Sequence, residues 1–444
     1  MARRTTSRQL AKVGVLLTSL PATCRLTVVV GLVSALAATA LVAQAQALPG
    51  DQSIPEPRQG ESVASRPRPD FDPRGVRAGS FLIFPKLTVA VMSDDNIFSD
   101  SIDEVDDLIT VTSPSVNVRS IFRNHALGLN ASADIGRYAD EGSEDYDDFT
   151  FGIDGRLDIR RTTNVFGGIG VQERHEDRSS PDDVNGISPT EFDIRSANFG
   201  YFQRFNRLSV RVEGIVDQYD FDDTPTTLSV INNDDRDRDL SRASLRFAYQ
   251  IVPNYEAVFS AAHTQIDYDS RVDNAGFNRD SDRQDFAIGV AIDLAGLTTA
   301  ELLVGNISQN YDDPQLENID APKFRLAISW DVTRLTTIQA FADRDVQETT
   351  VIGASGNLQS RAGISVDHEL RRNLLLNLRL AGTKEEFVGV DRTDRVHDAT
   401  VDVKWLVNPK LFMGIRYTFR DRDSGVPSEE FAKNRVAIQL GAQI

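Results

Sequence analysis

The sequence has one cysteine, three methionines and two tryptophans in 444 residues. The cysteine, Cys24, stands ahead of an apolar run at the amino terminus and is expected to leave with it, so the remaining chain carries no thiol. Disulfides, thiolate metal sites and cysteine nucleophiles are excluded together. After residue 50 no apolar run approaches the roughly eighteen residues that a membrane-crossing helix needs, which excludes a helical membrane protein. Clustered basic charge is missing too. A net charge of -18 argues against a nucleic-acid partner, because phosphate binding needs concentrated Lys and Arg.

The first residues carry Arg3, Arg4, Arg8, Lys12 and Arg25, then an uncharged run from Leu26 to Leu41, then AQAQA. That order is a secretory signal peptide over residues 1–47, with a cut after Ala45 or Ala47. Residues 48–78 follow, rich in Pro and Arg with almost no large apolar side chain. Such a stretch cannot bury a core and is expected to be a disordered periplasmic segment.

From residue 79 to 444 the character is different. Segments of about ten to fifteen residues alternate apolar and polar, the period of a strand with one wet and one greasy face. Leu127, Leu129, Ala131, Ala133 and Ile135 alternate with Gly128, Asn130, Ser132 and Asp134; Leu411, Met413, Ile415 and Tyr417 alternate with Gly414, Arg416 and Thr418. Soluble sandwich strands are usually about five or six residues long, whereas a tilted membrane crossing takes about nine to eleven.

The connections alternate between two kinds. Tight turns are expected near Arg123-Asn124, Thr163-Asn164, Asn206-Arg207, Pro253-Asn254, Gly296-Leu297, Arg334-Leu335, Arg372-Asn373 and Pro409-Lys410. Between them lie longer acidic loops, beginning for example at Ala139, Asp222 and Asp312. Short turns on one side and long loops on the other are the asymmetry of a bacterial outer-membrane barrel. The expected fold is therefore an all-β, transmembrane antiparallel up-and-down β-barrel of about 18 strands, with 16 the alternative count. Both termini would then be periplasmic in a Gram-negative outer membrane. Aromatic belts are expected from Phe166, Phe205, Trp330, Trp405 and Phe412 near the turns, and from Tyr138, Phe149, Tyr219, Tyr268, Tyr311 and Phe387 near the loops.

A barrel of this size leaves an aqueous lumen. Asp134, Arg211, Glu213, Arg246, Asn377, Arg379, Arg416 and Arg420 would be costly against lipid, so they are the candidate lumen-lining residues. They could sort solutes by charge, or simply form a salt-bridged wall. The acid-rich loops point to a preference for cations over anions at the mouths.

Nothing resembles an active site. There is no G-x-S-x-G elbow. His175-Glu176 and His368-Glu369 begin like a zinc-protease helix, but position i+4 is Ser179 or Arg372. Asp234, Asp235, Asp237 and Asp239 lack the glycine of an EF-hand loop. No catalytic residue, metal site or cofactor is expected, and the chain is read as not an enzyme.

The opening GSFLIFPKLTVAVMSDDNIF from Gly79, and within it Asp95, Asn96, Ile97 and Phe98, resembles the start of the putative β-barrel porin family found with exopolysaccharide and capsule gene clusters. The resemblance implies an outer-membrane location and a role in moving or organising secreted polysaccharide, and it supplies no catalytic residues. Expected partners are outer-membrane lipids, lipopolysaccharide, the barrel assembly machinery and polysaccharide. The alternatives to a channel are a non-conducting structural or adhesion barrel and, with least support, an outer-membrane enzyme.

Overall fold

A computed structural model of the chain describes residues 62–294 and 296–444. The expected signal peptide, and residues 48–61 of the segment after it, lie outside the described residues. The strands run in order β1 (Val76–Ala78), β2 (Phe81–Asp94), β3 (Asp107–Ser120), β4 (His125–Tyr138), β5 (Tyr146–Arg160), β6 (Thr163–His175), β7 (Glu191–Phe205) and β8 (Leu208–Phe221). After the short pair β9 (Thr224–Pro225) and β10 (Val230–Ile231) come β11 (Arg238–Val252), β12 (Tyr255–Tyr268), β13 (Ser281–Leu294), β14 (Thr298–Tyr311), β15 (Ile319–Thr333) and β16 (Thr336–Gln347). The last are β17 (Gly356–Arg371), β18 (Leu374–Val388), β19 (Arg392–Asn408), β20 (Leu411–Ser424) and β21 (Phe431–Gln443).

Strands β2 to β8 and β11 to β21 pair antiparallel with their sequence neighbours, and β2 also pairs with β21, which closes an 18-strand barrel. The tiny β1 folds back on the start of β2, Val76 opposite Ile83. Two turns owe their geometry to asparagine, since Asn206 (φ 51°) and Asn254 (φ 72°) take the left-handed conformation that few other side chains tolerate. One turn lies slightly earlier than its sequence suggests: Thr163 already begins β6, so the reversal falls on Arg161-Thr162.

The alternation divides the wall into two faces. Val436, Ile438 and Leu440 on β21, Phe286, Ile288 and Val290 on β13, and Leu411, Met413 and Ile415 on β20 all stand exposed on the outside. Their chain neighbours point inward. This parity corrects the aromatic belts. Phe205, Trp330, Trp405 and Phe149 do project outward. Phe166 and Phe412, by contrast, share the inner face, lying beneath Arg211 and Lys404 at 4.1 and 4.4 Å. Tyr138, Tyr219, Tyr268, Tyr311 and Phe387 also face inward, where they pack under the loops. Position near a strand end says nothing about which side a ring takes; only the count along the strand does.

The segment before the barrel departs from expectation as well. Residues 62–78 are not disordered: Ser62, Val63 and Arg68 are buried. The Val63 amide donates to Thr337 Oγ1 at 2.8 Å, and Arg68 donates to Glu369 at 3.0 Å. Low apolar content does not prevent ordering when the barrel supplies a buried carboxylate as anchor.

The string Asp95-Asn96-Ile97-Phe98 sits at the seam where the first and last barrel strands meet. Asn96 is fully buried; its side-chain amide donates to the carbonyls of Asp100 (2.7 Å) and Ala432 (3.2 Å), and its oxygen accepts from the Asp100 amide at 3.0 Å. Asp95 accepts from the Asn434 amide and side chain at 2.6 and 2.7 Å, and Asp94 takes Arg435 at 2.6 Å. Lys433 caps the Ile97 carbonyl. The motif therefore clasps the loop after β2 to the start of β21. Replacing Asn96 by Ala would strip these partners from buried groups, at about 1–3 kcal/mol. The expected outcome is a lower temperature of heat-modifiable gel migration with no change in strand content by circular dichroism.

Candidate functional site

The inner wall is built by cross-strand register. Arg416 lies opposite Asp402 and bonds it at 2.9 Å; Arg420 lies opposite Asp398 and bonds it at 2.7 Å. Arg211 pairs with Glu213 at 3.1 Å on its own strand, and Arg246 with Glu301 at 2.5 Å. Asn377 donates to Ser365 and Asp367 at 2.9 and 2.8 Å. Arg379 lies 5.9 Å from the ring of Phe341, and Asp134 is opposite Asp148. All eight sequence candidates share the inward face, but they do not meet at one place. They are distributed around the wall, mostly in charge pairs that a low-dielectric surface favours.

What converges instead is a loop that sequence reasoning passed over. Residues 176–190 leave the end of β6 and turn into the barrel, and their first four residues are each fastened to a different strand or loop turn. Glu176 takes Arg236 at 2.9 Å, and Asp177 faces Arg435 at 3.7 Å. Arg178 bonds Glu144 at 2.7 Å, Asp183 at 3.3 Å and the Gly186 carbonyl at 2.9 Å. Ser179 Oγ accepts from Arg420 at 3.0 Å, and its carbonyl accepts from Arg422 at 2.5 Å. Further along, Asp182 takes the Thr349 hydroxyl at 2.7 Å and the Thr350 amide at 2.8 Å. Those threonines follow β16, seven strands round an 18-strand circumference from β7, close to the opposite wall. The loop thus spans the interior.

A second inward segment supports it. Glu348 accepts from the Tyr268 hydroxyl at 2.9 Å and from Gln309 at 3.0 Å, while Arg279 donates to the Thr349 and Ala354 carbonyls at 2.9 and 3.0 Å. At the opposite, short-turn end, residues 62–72 lie against Thr337 and Glu369 on the inner wall. The signal available beforehand was the dense run HEDRSS at 175–180, which reads as a solvated loop or a failed zinc motif until the cations it meets are in place.

Electrostatics fix the loop's response to acid. Against the desolvation of its position, Arg435, Lys433 and Arg420 hold the Asp177 carboxyl well below its ordinary value. Asp183 moves the other way: burial pushes its carboxyl up to about 6, with Arg178 opposing and Glu176 reinforcing the shift.

The family described as "Putative beta-barrel porin 2" matches residues 68–444. No curated protein sequence matches the chain. Among solved structures, the outer membrane protein opdK from Pseudomonas aeruginosa is similar at 12% identity, with 82% of this chain and 99% of that one covered and a TM-score of 0.43. Acinetobacter baumannii OccAB3 is similar at 10% identity, covering 83% and 100%, with a TM-score of 0.45.

Two outcomes are expected of the docked loop. Arg178→Ala leaves Glu144 buried without its cation, which costs about 3–5 kcal/mol. Amide hydrogen exchange over residues 176–190 should then accelerate while the strands stay protected. The second concerns pH. A carboxyl whose docked value exceeds its ordinary 3.8 takes up a proton on docking, so Asp183 strengthens docking at low pH and the gain is lost as pH rises through about 6. Exchange of the loop in the folded protein should be slower at pH 5 than at pH 7.5 once the intrinsic pH dependence is removed, and equal protection would contradict the assignment.

Proposed function

We propose that this chain, which belongs to the Putative beta-barrel porin 2 family, forms a water-filled passage through the outer membrane for hydrophilic solutes or exported exopolysaccharide. The porin-like barrel and the outer-membrane location follow from the family and the closed 18-strand wall. In this reading Asp134, Arg211, Glu213, Arg246, Asn377, Arg379, Arg416 and Arg420 line the passage. The short turns and both termini face the periplasm. A channel is favoured over an enzyme by the same family and architecture.

The observation that carries the proposal is the contrast between the two faces of one strand. On β20, Leu411, Met413, Ile415 and Tyr417 are exposed outside, while Arg416, Arg420 and Arg422 face in with Asp402, Asp398 and Glu429 as partners. So many charges are tolerable within a membrane only against water and one another, and a barrel of about 16 to 18 strands is wide enough to hold that water. The loop at 176–190 and the segment at 62–72 narrow the interior from its two ends, which favours as a second reading a structural barrel closed at rest.

Purified, heat-modifiable protein in a planar bilayer separates the two. Discrete single-channel steps are expected for the channel. Their absence, also after Arg178→Ala has released the loop, would leave the structural barrel.

A further inference from the structure

Strand β11 carries arginines at 238, 242 and 246. Because side chains alternate, a spacing of four places all three on the inner face, one at every second inward position. They form a column roughly 27 Å long with about 13 Å between neighbours. Most inward arginines of the wall sit beside carboxylates, and two of these three do not.

The three arginines are held differently. Arg246 is paired with Glu301. Arg238 has no carboxylate within ion-pair distance among the described residues and lies instead over Tyr219, Phe221 and Tyr268 at 4.6, 5.5 and 5.8 Å. Arg242 has no ion pair among the described residues, and its buried Nε has no hydrogen-bond partner. Guanidinium donors left this way are costly unless something else accepts from them. Arg211, with Glu213 beside it, also stands directly opposite Arg246, a like-charge juxtaposition that sheets otherwise avoid.

The wall beside the column is cut back to small residues. Ser244, Ser260, Ala262 and Ala287 border a small recess open to the interior, with Lys323, bonded to Asp285 at 3.0 Å, on its far flank. Most of the chain's acid surplus sits in the loops, and this recess lies below them, lined by Arg211, Arg242, Arg246 and Arg325 beside the Lys323–Asp285 pair. A single small anion would use one arginine. A row with this spacing suits an elongated ligand that carries carboxylates at intervals, each taken by the planar fork of a guanidinium.

We propose that the inner face of β11 binds a carboxylated oligosaccharide, with Arg242 and Arg238 as its principal anion contacts. This rests on the reading of the barrel as a passage for hydrophilic polymers and names the class of polymer.

The test measures binding separately from conduction. The detergent-folded full chain is titrated by calorimetry with tetragalacturonate and, as a neutral counterpart, maltotetraose. Tetragalacturonate is expected to bind at least about tenfold more tightly, and Arg242→Gln to weaken it about tenfold while leaving heat-modifiable migration unchanged. Arg242→Lys, which keeps charge but not the fork, should fall between the two. If Arg242→Gln does not fold, Arg238→Gln and the Arg242→Lys intermediate provide the same comparison. Equal affinity for the charged and neutral sugars, no binding of either, or indifference to every one of these substitutions would overturn the assignment. Conductance of the same sample reports on the passage itself, so loss of one conclusion does not imply loss of the other.

Discussion

In hydrocarbon every backbone amide and carbonyl must find a partner inside the protein, and a sheet can meet that demand only by having no edge. The pairing of β2 with β21, Lys86 opposite Gln443 through Asp94 opposite Arg435, is therefore the contact on which the rest depends. Its long-loop end is fastened by Asp94, Asp95 and Asn96 gripping Arg435, Asn434 and the Ala432 carbonyl. The Asp95–Phe98 string thus serves closure. It brings together residues more than three hundred positions apart, where the loop-closure cost is greatest and side-chain bonds are most useful.

Once closed, the wall separates two solvents, and one period of two serves both. Outside, β-branched and leucine side chains meet lipid. Inside, arginines and carboxylates neutralise one another across strands, as in Arg416–Asp402 and Arg420–Asp398. The inward loop uses the same chemistry. Glu176, Asp177, Arg178 and Ser179 engage Arg236, Arg435, Glu144 and the Arg420–Arg422 pair, so a segment with little apolar surface is held in place by charge. Buried charge of this kind specifies position more than it adds stability, because desolvation offsets much of the attraction. Two arginines of β11 stand apart from that balance: Arg238 rests on rings and Arg242 has no ion-pair partner among the described residues, which is why this face can accept an outside anion.

Several local signals mislead for a shared reason. Nearness to turns points Phe166 and Phe412 to a lipid-facing belt, yet parity places them inside under cations. Residues 62–78 looked unable to order because they have no core of their own, and they order against Glu369, contributed by a strand some three hundred residues later. The HEDRSS run offered no recognisable geometry because its partners are spread over four other elements. In each case the deciding neighbour is distant in sequence.

The sequence by itself determined the architecture, because alternation of apolar and polar residues, strand length and turn chemistry are local properties that lipid and water read directly. It also assigned most charged side chains to the inner face, since no other face of such a strand tolerates them. Only the tertiary structure decided which charges pair, which loop enters the interior, where the chain before the barrel packs and what the Asp95–Phe98 string does. These depend on wrapping a sheet into a cylinder, which sets residues from opposite ends of the chain side by side, and no local pattern encodes that adjacency.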